Sequence, residues 1–165
     1  MPQYKKSKKG YGKDMAVLRS ETTEEQLVEV LVKHFSKADS FSIYREVAFL
    51  NKRIDIILVN KRTNEIWAVE AKISWWRKAI EQAKLTLLGV DKAYIALPMA
   101  KVDGLRRYRE EIEGLGIGFF GVTPNSRNSR VEEMISPLSS CYKNPIRESE
   151  LRSSIAHGIY LEAIK

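Results

Sequence analysis

Residues Arg53–Lys72 read RIDIILVNKRTNEIWAVEAK, and this stretch decides the fold. Arg53–Asn60 and Glu65–Lys72 are apolar runs containing Ile, Val and Leu, separated by the polar, Asn-containing Lys61-Arg62-Thr63-Asn64. Two such runs around such a connection predict a β-hairpin. A turn centred between Arg62 and Thr63 sets Asp55 across from Glu70 and Arg53 across from Lys72. Opposed residues share a face with Cβ atoms about 4.5–5.5 Å apart. Side chains two apart on a strand point the same way, so Lys72 joins Glu70. The predicted hairpin therefore gathers two carboxylates and an ammonium at one end of a mostly apolar sheet.

Opposed carboxylates on a half-buried sheet repel each other, and a divalent cation between them reverses that sign. Hard oxygen ligands suit Mg²⁺, with Mn²⁺ as a substitute, rather than Zn²⁺. Lys72 is then placed to hold or help deprotonate a water aimed at a phosphate, and to stabilise the charge that follows. The bland alternative is a surface salt-bridge ladder of Arg53, Asp55, Glu70 and Lys72 at a strand end.

At these residues the chain resembles the PD-(D/E)xK nuclease superfamily, with Asp55 at the first acidic position and Glu70-Ala71-Lys72 as the E-x-K. Ile54 stands where the family name has proline. The resemblance implies a restriction-endonuclease-like three-layer α/β/α core with a central mixed β-sheet, in the order αβββαβαβ. It also implies that Asp55, Glu70 and the Ala71 carbonyl bind the metal while Lys72 assists the attacking water. The first helix in this superfamily often brings a glutamate to the metal, and Glu24 is the candidate, with Glu25 as substitute. The opening Glu24–Leu31 (EEQLVEVL) is similar to that of archaeal Holliday-junction resolvases. On the helix after the E-x-K strand the family places a glutamine or a basic residue, which points to Gln82, with Lys78 beside it. Thr86 occupies the tyrosine position of the Q-x-x-x-Y subgroup.

Composition agrees with a polyanion partner. The chain has 165 residues, 30% of them charged and 44% hydrophobic, and a net charge of +7. Length and composition indicate one ordinary globular domain. The basic balance makes nucleic acid the default partner. A single cysteine, Cys141, excludes an intramolecular disulfide and a Cys-based zinc site, and the two histidines, His34 and His157, lie far apart. No apolar run approaches the roughly 18 residues of a membrane span, and MPQYKKSKKG lacks the apolar core of a signal peptide. A cytoplasmic, nucleoid-associated protein with no membrane partner is expected.

In chain order, residues 1–14 read as a flexible basic arm whose Lys5, Lys6, Lys8 and Lys9 can track phosphates. Residues 15–123 read as the nuclease core and 124–165 as an extension packed on it. A helix over 21–36 is capped at Thr22 or Thr23, with Leu27, Val30, Leu31 and His34 or Phe35 inside. Phe41–Leu50 is a strand on which Arg45 pairs with Glu46 or contacts phosphate, and Arg53 is a further phosphate contact. Trp75–Leu88 is a helix with Trp76, Ala79, Ile80, Ala83 and Leu87 on one face, Ser74 as its cap and Gly89 as its stop. Lys92–Leu97 is a strand, Asp103–Glu113 an amphipathic helix and Gly116–Val122 a buried strand. Strand–helix alternation there predicts parallel pairing. Val131–Ile135 is an edge strand and Glu148–Ile164 a closing helix.

The sequence thus indicates a metal-dependent DNA endonuclease, a hydrolase of phosphodiester bonds selective for branched DNA, acting as a homodimer. The alternatives are a restriction-type, homing-type or repair nuclease on the same core, and a non-catalytic DNA-binding module. A protein–protein module built on the salt-bridge ladder is the third class.

Overall fold

The computed structural model describes residues 22–163 other than 75, 125 and 126, with nothing drawn on the side chains of 103, 106 and 159–163. The predicted arm, with Lys5, Lys6, Lys8 and Lys9, lies outside the described residues. The elements run α1 Glu24–Ser36, β1 Phe41–Phe49, β2 Lys52–Asn60, β3 Ile66–Ala71, α2 Trp76–Thr86, β4 Lys92–Pro98 and α3 Met99–Val102. A 3-10 helix Asp103–Tyr108 follows, then α4 Arg109–Gly114, β5 Gly118–Thr123, β6 Arg130–Ile135 and α5 Pro145–Ala163.

The strands form one mixed six-stranded sheet in the order β1-β2-β3-β4-β5-β6. The hairpin register is the one read from the sequence. Val59 opposes Ile66, Leu58 opposes Trp67, Ile57 opposes Ala68 and Ile56 opposes Val69. Asn60 builds the turn, its Oδ1 accepting from Arg62 N at 2.9 Å and Thr63 N at 3.0 Å, while Asn64 takes φ +61°. β1 joins β2 through Leu50 and Asn51, both left-handed at φ +47° and +59°, as a tight two-residue hairpin turn requires. β3, β4 and β5 are parallel, and β6 returns antiparallel on β5.

Strand alternation gives the sheet two apolar faces. Ile56, Leu58, Val69, Ala71 and Ala96 meet α1 through Leu27, Leu31 and Phe35. Ile57, Ile66, Ala68, Ile95 and Leu97 meet α2 through Ala79, Ile80 and Ala83, and α5 through Leu151 and Ile155. Thr23 caps α1 in a capping box, with Gln26 returning the bond to the Thr23 N–H at 3.0 Å. Asn144 Oδ1 accepts from Ile146 N at 2.9 Å at the start of α5.

Three local readings change. The helix expected over Asp103–Glu113 is two short pieces, the 3-10 helix and α4, and the single turn α3 precedes them. Val102 and Leu105 are both buried and three residues apart, a spacing that 3-10 geometry aligns, and Gly104 between them favours the break. Gly89 ends α2 without a left-handed φ; an added Cβ there would lie 2.6 Å from the Phe49 ring, so its smallness is what matters. Arg45 pairs with Glu25 and, at 2.8 Å, with Glu29 on α1, not with Glu46.

The extension is tied to the sheet by charge. Lys143 Nζ reaches Asp91 Oδ1 at 2.7 Å and Glu148 Oε2 at 3.0 Å. Asp91 Oδ2 in turn accepts from Ile66 N at 2.8 Å. Arg152 bridges Glu148 at 2.8 Å to the Asn64 carbonyl at 3.1 Å.

Candidate active site

The site forms where β2 and β3 part. Their ladder ends at the Ile56–Val69 pair, and the next N–H, that of Ala71, donates at 2.7 Å to Asp55 Oδ2 instead of to backbone. On the other side of β2, Arg45–Ile56 and Val47–Ile54 pair, but Glu46, level with Asp55, sits at φ +51° and breaks the ladder. A left-handed glutamate inside a strand is strained. Asp55 is thereby freed on both sides to reach the Ala71 amide.

Glu70 is 4% exposed and faces the α2 side of the sheet with Asp55. Burial, then the neighbouring Asp55, pushes its carboxyl up to about 8, against an opposing pull from Lys72 and Lys52. Asp55 is raised as well, chiefly by burial, and the Ala71 N–H and Lys72 oppose this. The two carboxyls lie close enough for a proton to bridge them. Two buried like charges side by side cannot both be held cheaply, so the pair keeps a proton more tightly than a free carboxyl does.

Lys72 follows β3, its N–H donating to Ala96 O at 2.9 Å, and its Nζ lies 3.2 Å from Glu24 Oε2 at the mouth of α1. Glu24, Lys72, Ser74, Lys78 and Gln82 line a cleft of about 430 Å³. Gln82 is shared with a small neighbouring recess that holds Glu70, Lys52, Ile54 and Thr86. Among the described residues its Oε1 is buried without a hydrogen-bond partner, while its backbone carbonyl accepts from Thr86 Oγ1 at 2.9 Å. Trp75 lies outside the described residues.

The structure therefore brings Asp55, Glu70, Lys72, Glu24 and Gln82 to one place, with Lys78 on its rim. It does not bring Arg53 to Lys72. Beyond Ile56 the strands separate, and Arg53 instead lies 3.9 Å from Glu46, against α5. Glu25 is turned to Arg45 and away from the cleft. Lys52, which contributes charge beside Glu70, was missed from the sequence because it reads as part of a connection.

Among the described residues, no group of three or more His, Cys, Asp or Glu is arranged to hold a metal ion. The donors that are present nevertheless suit a hard divalent cation. They are two carboxyls short of countercharge, Asp55 and Glu70, and an unpartnered buried amide oxygen on Gln82.

No protein-family model matches the chain, and no curated protein matches it. Among solved structures, the chain is similar to the SPO1766 protein of unknown function from Silicibacter pomeroyi. The TM-score is 0.60 and the identity 16%, over 87% of this chain and 90% of that one. That likeness shows a shared α/β fold. Two more distant likenesses are a repair endonuclease from Pyrococcus abyssi and SfsA from Pyrococcus furiosus in complex with Ca²⁺. The first has a TM-score of 0.46 and 18% identity over 64% of this chain and 49% of that one. The second has a TM-score of 0.37 and 11% identity over 66% and 59%. Neither is near enough to carry an argument. No helix among the described residues is long and apolar enough to cross a membrane.

Proposed function

We propose that the protein is a restriction-endonuclease-like, Mg²⁺-dependent DNA endonuclease that hydrolyses phosphodiester bonds, with branched DNA as its preferred substrate. The observation that carries this is the buried Asp55–Glu70 pair, which holds a proton where a cation would relieve both charges, with Lys72 beside it. A salt-bridge ladder does not account for it, because Glu70 is buried and makes no ion pair of 4 Å or less among the described residues.

Asp55, Glu70 and the Gln82 or Ala71 oxygen would hold Mg²⁺ or Mn²⁺, which when bound supplies positive charge to the phosphate and acidifies water. The Ala71 N–H fixes one oxygen of Asp55 and leaves the other free. Lys72, positioned by Glu24, hydrogen-bonds the attacking water and then faces the negative charge that grows on the phosphoryl oxygens. Glu24 is placed to accept a proton passed through Lys72. Burial of Glu70 excludes bulk water from one side of the reacting centre.

One such centre cuts one strand, so paired cuts require two copies related by a two-fold axis. The test is incubation of labelled linear duplex, single-stranded, flap and four-way-junction DNA with Mg²⁺, Mn²⁺ or EDTA, beside Asp55→Ala. Metal-dependent products that vanish in the variant are expected, most of them from branched DNA. Salt-sensitive binding without cutting in any metal would replace the enzyme with a binding module.

A further inference from the structure

We propose that the chain carries a second, non-catalytic phosphate platform, formed by Arg77, Lys78, Lys101 and Arg107, that grips the nucleic-acid backbone beside the bond to be cut. The inference rests on the nuclease reading and deepens it.

Topology places these residues. α2 leaves the C-terminal end of β3 and α3 leaves that of β4, and the two strands are parallel. Arg77, Lys78 and Lys101 therefore rise from the same end of the sheet as Lys72. The Trp76 and Tyr108 rings, 5.2 Å apart, bring the 3-10 helix against α2 there. In open α/β sheets, ligands settle outside the carboxyl ends of parallel strands. Lys78 already lines the cleft that holds Glu24 and Lys72.

Side-chain geometry identifies what the platform takes. The Arg77 guanidinium lies over both Trp76, at 4.6 Å, and Tyr108, at 4.9 Å, and Arg107 lies over Tyr108 at 5.6 Å. The exposed ring faces are thus covered by cations and are not free to stack on bases. What remains are the guanidinium N–H groups that Glu111 does not take, and a flat fork of donors matches a phosphate. The Arg77 side chain is 60% exposed and gives one nitrogen to Glu111 at 3.2 Å, which fixes its orientation.

Charge balance points the same way. Several cations away from this end are neutralised, as Arg45 is by Glu25, Lys143 by Asp91 and Arg152 by Glu148. Lys78, Lys101 and Arg107 make no ion pair among the described residues. Uncompensated cations beside a rigid guanidinium stack form a local positive field at the edge of the site.

The test is anisotropy titration of labelled four-way-junction and linear duplex DNA over a range of salt, in EDTA, with the full chain. Arg107→Ala, Lys101→Ala, Arg77→Ala and Arg77→Lys are compared with it. Each alanine variant should bind about three- to tenfold more weakly and lower the slope of log K against log salt by about one. Arg77→Lys keeps the charge and loses the stack, so it should keep the slope while binding about threefold more weakly. Single-turnover cutting at saturating protein should stay within about twofold for all four. Arg107 and Lys101 hold no other element in place, so their variants report without a folding change. Wild-type affinity and slope in those two variants, with cutting intact, would overturn the platform alone. A wild-type chain that binds DNA and never cuts would sink the nuclease reading and leave the platform standing.

Discussion

Replacing Glu70 with glutamine should stabilise the protein at alkaline pH while destroying its metal-dependent chemistry. The folded-state pKa of Glu70 is raised from 4.5 to about 8, so the folded state binds the extra proton. Its stabilising contribution is complete below about pH 4.5 and is lost as pH rises through 8. At about 1.4 kcal/mol per tenfold change in proton affinity, the loss reaches about 3–5 kcal/mol by pH 9, shared with Asp55. A glutamine amide can donate to Asp55 as the protonated acid does, without ever ionising. Urea denaturation in EDTA should therefore give Glu70→Gln and wild type similar stabilities at about pH 4, below the unfolded-state pKa. At pH 9 the variant should be more stable by about 3–5 kcal/mol. Added Mg²⁺ should close that gap by stabilising only the wild type. Parallel pH dependences of the two proteins would refute the buried-pair argument.

Other parts of the structure make independent predictions. Gly89→Ala drives a methyl toward the Phe49 ring and should cost about 1–3 kcal/mol, read as a lower urea midpoint with an unchanged m-value. Glu46→Val forces a β-branched residue into the left-handed region and should cost about 1–2 kcal/mol, whereas Glu46→Gly should be near neutral. Lys143→Met removes the cation that joins Asp91 to Glu148, while Arg152 still pairs Glu148, and should cost about 1 kcal/mol, with faster hydrogen exchange along α5.

Much of this arrangement was legible in the sequence because strand alternation is rigid. Once the turn between Arg62 and Thr63 was located, the opposition of Asp55 and Glu70 followed from the period of two, and the ladder shows that register. The opening of α1 was equally readable, since Thr23 and Gln26 form a local capping box. What sequence periodicity cannot carry is where a ladder stops. The parting of β2 from β3 separates Arg53 from Lys72, and it depends on a side-chain bond from Ala71 N to Asp55 and on the strained Glu46. Lys52 escaped notice for a related reason, as its approach to Glu70 depends on the β1–β2 hairpin lying over α2. The broken helix after β4 reflects burial of Val102 and Leu105, whose spacing fits an α-helix and a 3-10 helix alike.

The most direct test of the central claim, that Asp55, Glu70 and Lys72 act as one hydrolytic centre, is single-turnover cleavage of the best DNA substrate in Mg²⁺. Asp55→Asn, Glu70→Gln, Lys72→Met and the double variant Asp55→Asn/Lys72→Met would be compared. Each single variant should lose at least about 10²–10⁴ in rate, and the double variant should be no slower than the worst single one. Any single variant that cuts at the wild-type rate would contradict the account.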